Sequence, residues 1–334
     1  MAIFSFKELD GEKRLQVYDF IKEANELFDK SFVDMEKFYL SEVFNNGDTL
    51  IVSFYDNKIL GTIGVIIKEV PIKGEAFITE IFMNKDFLDY SLKAYGEHIV
   101  NELLHRAINI CEEHGANKIS LGIKNKLSFL EGYILDNDFF KTHEAIIMKY
   151  TKKEKPQVDM QQSSLEAKGE EEIISNAVNT NMETKPRRDE DANIDLLPLS
   201  EETLEEFMAI HNDGFKETPN AATLSINETR ELFHGYMGNE DFIGIVKWEK
   251  QSIGVYMLAI ADNVGWIDNI AILEEFRSKN FGKLLLNKSI DLLKHKDVES
   301  IKLLVMSSNT LAYKFYKKYG FEEEQVYSTW YEKN

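Results

Sequence analysis

The sequence has one cysteine, Cys111, in 334 residues. No internal disulfide can form, which favours a reducing, cytoplasmic compartment. Cys111 follows Val100, Leu103, Leu104 and Ala107 at helical spacing. It reads as a small buried hydrophobe rather than a nucleophile. Basic residues are outnumbered: 39 Lys and Arg stand against 58 Asp and Glu, a formal net charge of −19. Phosphate chains bind to basic faces, so this balance argues against nucleic acid as the main ligand, and an anionic membrane would repel it. It permits a cationic acceptor. No apolar run is long enough to span a bilayer, and "MAIFSFKELDGEKR" has no basic stretch ahead of an apolar one. The seven histidines show no metal spacing, and no metal is expected.

What is present suffices for ordinary cores: 43% of residues are hydrophobic and 12% aromatic. The length suggests two domains of roughly 150 residues each. From about Lys152 to Asn193 the chain turns polar and charged, with no aromatic residue. This stretch reads as a flexible connector, with a short helix around Leu165 to Val178. The expected division is 1–152, a linker over 153–193, and 194–334.

The two halves repeat weakly. "DTLIVSFYDNKILGTIGVII" and "EDFIGIVKWEKQSIGVYMLAI" both read as strand, turn, strand, and a glycine after the turn recurs as Gly61 and Gly254. Each hairpin is followed by a strand, a long amphipathic helix, a short strand, a helix and a final strand. Helical patterns over Glu12 to Leu27, Met35 to Phe44, Glu201 to His211 and Ile226 to Tyr236 precede the hairpins. Each half therefore reads β-α-α-β-β-β-α-β-α-β, an α/β fold with a mixed sheet and helices on both faces.

One helix start is unusual. "EEFRSKNFGKLLLNKSIDLL", residues 274–293, enters a helix through Arg277, Asn280 and Gly282, with no Ser, Thr or Asp at the usual capping place. Further on, "NTLAYKFYKKYGF" carries Asn309, Ala312, Tyr316, Gly320 and Phe321. Together the two stretches resemble the two signatures of the GNAT superfamily of acyl-CoA-dependent N-acyltransferases, over roughly Asp195 to Lys333. Asn280 stands where that family most often has glycine, and asparagine is the residue that best tolerates a left-handed backbone otherwise. The tandem plan and the stretch "HNDGFKETPNAATLSINE" (211–228) also resemble the mycothiol synthase family, without carrying over its substrate.

The resemblance implies acetyl-CoA as cosubstrate and a primary amine, small or on a basic peptide, as acceptor. Unpaired backbone N–H groups at a helix start carry partial positive charge, and a pyrophosphate can act as the missing cap. The implied cofactor-binding residues are Arg277, Ser278, Lys279, Asn280, Phe281, Gly282 and Lys283. Ile270, Ala271 and Ile272 would pair with the pantetheine arm, and Asn309 would bind the cofactor or simply cap its helix. Tyr316 matches the general acid that protonates the departing thiolate. Asp268 stands where relatives carry a base, or is a structural carboxylate. The 211–228 loop is expected to set acceptor specificity. Two alternatives stay open: a CoA-binding sensor or scaffold, and a protein lysine acetyltransferase.

The first half keeps the apolar pattern but not the motifs. Ser91 falls opposite Arg277 and Ala94 opposite Asn280, leaving Gly96, while Asp86 and Asp89 would repel a pyrophosphate. "NKLSFLEGYILDNDFF" keeps Asn125 but puts Glu131 and Gly132 in the tyrosine region, with Tyr133 as the nearest phenol. A non-catalytic half packed on the other as an intramolecular pseudo-dimer, in a monomeric chain, is expected.

Overall fold

The structure, a computed structural model, describes residues 2–24, 31–84, 93–151, 193–277 and 279–334. The expected connector, with its helix, lies outside these residues except for Asn193. The N-terminal half comprises β1 (Ala2–Ser5), α1 (Gly11–Ala24), α2 (Phe32–Tyr39), β2 (Leu50–Tyr55), β3 (Lys58–Ile66), α3 (Val70–Lys73), β4 (Glu75–Met83), α4 (Lys93–Glu113), β5 (Lys118–Lys124), α5 (Glu131–Leu135) and β6 (Phe140–Tyr150). The C-terminal half comprises β7 (Asp195–Pro198), α6 (Leu204–Phe215), α7 (Ile226–Gly235), β8 (Ile243–Trp248), β9 (Gln251–Ala261), β10 (Val264–Ile272), α8 (Phe281–Lys294), β11 (Ser300–Met306), α9 (Thr310–Lys318) and β12 (Phe321–Lys333). The repeat holds in order. The N-terminal half adds one short helix, α3, where the C-terminal half turns directly from β9 to β10.

The two expected mixed sheets are joined into one of twelve strands, in the order β1-β2-β3-β4-β5-β12-β6-β11-β10-β9-β8-β7. The final strands are exchanged between halves. β12 pairs antiparallel with β5, Ser328 opposite Lys124 through Lys333 opposite Ile119. β6 pairs antiparallel with β11, Lys302 opposite Lys149 through Met306 opposite Ala145. The two exchanged strands also pair with each other along most of their length.

Side chains follow the strands. Tyr331 of β12 is 2% exposed and packs in the N-terminal core with Leu121, Ile123, Leu127 and Leu130. Its hydroxyl donates to Glu131 Oε1 at 2.9 Å. Gly122 faces the Trp330 ring, and a Cβ there would come within 2.8 Å of it. Conversely, Ile146 and Met148 of β6 belong to the C-terminal core with Ile301, Leu303 and Val305. Apolar side chains are buried wherever their strand lies, so each half's core is completed by the other.

The repeated glycine has one job in both halves. A Cβ at Gly254 would lie 2.1 Å from the Ala271 carbonyl oxygen, and one at Gly61 2.9 Å from that of Phe82. Each permits close approach of the next strand beside a bulge. In β10 the register shifts between Ile267 and Asn269, so Asp268 is the extra residue.

Candidate active site

β10 and β11 are parallel and paired only from Val264 opposite Ser300 to Ile267 opposite Leu303. Beyond that point the strands part. The opening forms a cavity of about 1350 Å³. Its walls come from β10, β11, the starts of α8 and α9, and the segment between α6 and α7.

The start of α8 has no side-chain cap of its own. Asn280 is its N-cap, with φ 64° and ψ 2°, in the left-handed region, and its side chain makes no capping hydrogen bond. The first N–H groups of α8 therefore lack a side-chain acceptor at the cap. Asn280 and Gly282 line the cavity. A Cβ at Gly282 would meet only Phe315 ring atoms, at 3.6 Å and beyond, an ordinary contact. Among the described residues, no packing contact requires glycine there.

Arg277 lines the cavity but is already engaged: its Nε donates to the Ile272 carbonyl at 3.0 Å and an Nη approaches the Gly214 carbonyl at 3.5 Å. It ties the loop to the end of β10 while keeping its charge at the cavity wall. Lys283 also lines the wall. Two of the expected loop residues are turned elsewhere. Phe281 is 2% exposed and packs against Trp248, so only its main chain is open to a ligand role. Lys279 is outside the cavity lining, over the rings of Phe276 and Trp248. Ser278 lies outside the described residues.

Ile270, Ala271 and Ile272 line the cavity where β10 departs from β11. Asn309 lines it too, and it is the N-cap of α9, accepting from the Ala312 N–H at 3.2 Å. Both of its sequence readings are thus compatible with its place.

Tyr316 and Asp268 meet in this cavity. Tyr316 stands edge-on to Phe321 and Phe315. Burial alone pushes its phenol up to about 12, so it holds its proton at neutral pH. Asp268 is exposed to the cavity, and the cavity walls partly desolvate its carboxyl. That desolvation pushes it up to about 6. The site thus holds a proton donor and a carboxylate poised to accept one near neutrality.

Sequence reasoning passed over two neighbours. Tyr236, just past α7, has its phenol pushed upward by burial and then by the Asp268 charge. His211, on α6, lines the cavity, stacks on Phe207 with Phe215 tilted against it, and is pushed below the usual histidine range by burial. Neither carries a local motif. Among the described residues no cluster suits a metal, and no helix is long and apolar enough to cross a membrane.

Residues 201–321 match the profile of the acetyltransferase (GNAT) family. This segment belongs to that family. A 65-residue stretch is 43% identical to the [ribosomal protein bS18]-alanine N-acetyltransferase of Haemophilus influenzae, covering 20% of this chain and 44% of that protein. The chain thus spans less than half the length of this relative. A GCN5-related N-acetyltransferase of Sphaerobacter thermophilus shares the fold, with a TM-score of 0.63 at 10% identity over 99% of this chain and 95% of that one. So does a tandem GNAT protein from the clavulanic acid biosynthesis pathway, at 0.60, 11% identity, and 99% and 97% coverage. These likenesses extend the GNAT fold across both halves.

Proposed function

We propose that the GNAT segment transfers an acetyl group from acetyl-CoA to a primary amine, with catalysis in the C-terminal half. The observation that carries this reading is the left-handed, self-uncapped start of α8, opening into the same cavity as Tyr316 and Asp268. The α8 N–H groups, with Arg277 and Lys283 nearby, suit a pyrophosphate. Side chains lining the cavity are divided by charge. The cations Arg277, Lys283 and Lys318 belong to the α8 entry, α8 and α9; the carboxylates Asp268 and Glu217 belong to β10 and the α6–α7 segment. That division fits an anionic cofactor and a cationic acceptor.

In the proposed reaction the amine nitrogen attacks the thioester carbonyl carbon. The carbon–oxygen π bond gives an oxyanion, which backbone N–H groups at the end of β10 are suited to stabilise. The Asp268 carboxylate takes a proton from the amine. The intermediate reforms its carbonyl, breaks the carbon–sulfur bond and releases CoA thiolate, which takes the Tyr316 phenolic proton. Solvent then restores both groups. An alkyl amine with a pKa of ~10.4 arrives at neutral pH as ammonium, so it gives one proton to solvent before it attacks, and the second, shed by the nitrogen as the intermediate forms, is the one the Asp268 carboxylate takes.

A protein α-amine is the second reading, favoured by the ribosomal-protein substrate in the Haemophilus relative's name. Purified chain, acetyl-CoA and a panel of small amines, polyamines and Ala-starting peptides test both. Acetyl-CoA binding without transfer to any of them would leave a CoA-binding sensor instead.

A further inference from the structure

The α6–α7 segment that lines the cavity has neither helix nor strand between Lys216 and Ser225. Without a ladder, its backbone needs other partners to hold one shape. Its own half supplies Asn212, whose side chain donates to the Leu224 carbonyl and accepts from the Leu224 N–H. Its own half also supplies two turn bonds, from the Thr218 N–H to the Phe215 carbonyl and from the Ala221 N–H to the Thr218 carbonyl, and the Glu228 carboxylate accepts from the Ser225 N–H. Further partners come from the N-terminal half. Glu69 Oε1 accepts from the Thr223 N–H at 2.8 Å, and Oε2 accepts from the Thr223 hydroxyl at 2.9 Å. Lys68 Nζ donates to the Thr223 carbonyl at 2.9 Å and pairs with Glu228. Lys73 Nζ donates to the Ala221 carbonyl at 2.7 Å and lies 3.4 Å from Glu69. Asn220, at φ 60°, sets its side-chain amide 2.8 Å from His143 Nε2 on β6.

Glu69 is wholly buried. A carboxylate persists in such a place only when its oxygens are matched, and here both are. Lys68, Glu69 and Lys73 all belong to the connection that carries α3. The repeat has no counterpart for it, since β9 turns to β10 through Asp262 and Asn263 alone. This connection is what the N-terminal half adds to the shared plan, and its charged groups are spent on the cavity wall of the other half.

We propose that Glu69 is a positioning residue for the acceptor side of the site. The N-terminal half, through this connection, fixes the 219–225 backbone against which the acceptor amine is held. This rests on the acetyl-transfer reading above. The Glu69 carboxylate bonds Thr223 and Lys73 and not the start of α8, so its loss should separate acceptor from cofactor.

Full-length Glu69→Ala, Glu69→Gln and Thr223→Val are compared with wild type by hydrogen-exchange mass spectrometry, acetyl-CoA calorimetry and acceptor kinetics. In Glu69→Ala, peptides over 219–225 are expected to exchange at least tenfold faster, with those at the start of α8 unchanged. Acetyl-CoA affinity stays within about twofold, while KM rises at least tenfold for whichever panel amine the wild type uses best. Glu69→Gln recovers part of the effect, because one acceptor oxygen remains. Thr223→Val gives a smaller change of the same pattern, and it decides the matter if the Glu69 variants do not fold. Unchanged exchange over 219–225, or acetyl-CoA and acceptor constants worsening together, would overturn the proposal. A wild type that transfers to no amine counts against the acetyltransferase reading alone, and the exchange measurement still decides whether Glu69 holds the wall.

Discussion

The two halves make the same opening and use it differently. In the N-terminal half β4 and β5 pair only from Glu75 opposite Lys118 to Ile78 opposite Leu121 and then part, as β10 and β11 do. Yet that opening leaves about 20 Å³, against about 1350 Å³ in the other half. Leu130 and Ile134, at and within the five-residue α5, fill it together with Leu103 and Leu104 of α4. In the C-terminal half the equivalent helix, α9, is nine residues long and puts Tyr316 there. The bulges differ as well. Asp268 lines open space, whereas Glu80, at φ 48°, accepts a 2.6 Å hydrogen bond from the buried Tyr39 hydroxyl. A GNAT backbone supplies a splayed sheet; side-chain volume decides whether the splay is a site or a core.

The sharpest way to break the comparison is to damage the open site alone. Gly282→Asp puts a carboxylate where a pyrophosphate is expected. Because a Cβ fits there, acetyl-CoA binding should fall by about 10²-fold or more in calorimetry, with little change in melting temperature. Unchanged affinity would remove the anion-binding role from the start of α8. Next in size is Tyr316→Phe, which should lower kcat by about 10²-fold while leaving acetyl-CoA affinity intact. Tyr133→Phe, the nearest phenol in the closed half, should not alter turnover; equal losses in both would erase the difference between the halves.

Asp268→Asn should cost less, and its signature is in the pH profile. The wild-type base must be ionised, so kcat/KM should rise with pH through about 6, and that limb should vanish in the variant. Stability runs the other way. A carboxyl raised above its unfolded value of ~3.9 contributes stability at low pH that is lost as pH rises through the folded value. The variant should therefore melt above wild type at pH 7.5, with the two converging near pH 4. A variant that melts lower at pH 7.5 would mark Asp268 as structural. The smallest effect on turnover is expected from Leu130→Ala in the closed half. It should destabilise by about 2–5 kcal/mol, yet titration should still give one acetyl-CoA per chain, since space without an anion-binding helix start is not a site.

The parts of this picture that were legible in sequence are those that depend on neighbouring residues. Asn280 was readable as left-handed because asparagine tolerates that backbone, and Asn309 as an N-cap from its place before a helix. The repeat followed from apolar periodicity, which also marked Cys111 as buried. The exchange of β6 and β12 was not legible, because an alternating strand shows which face is apolar but not which strand lies beside it. Nothing local to Glu69 marks it as buried; its partner Thr223 is 154 residues away. Phe281 and Lys279 sat within a motif whose main chain matters, and nothing local indicated that their side chains turn to Trp248.

The exchanged strands also dictate an order of assembly. Tyr331 completes a core whose other members come from the first half, and it bonds Glu131 across 200 residues of sequence. During synthesis the first half therefore emerges without its last core strand and stays incomplete until β12 has been made. Pairings that distant fold slowly, and the first half cannot close before the second has been made. The two similar halves should accordingly melt as a single calorimetric transition, one cooperative unit assembled from a duplicated plan.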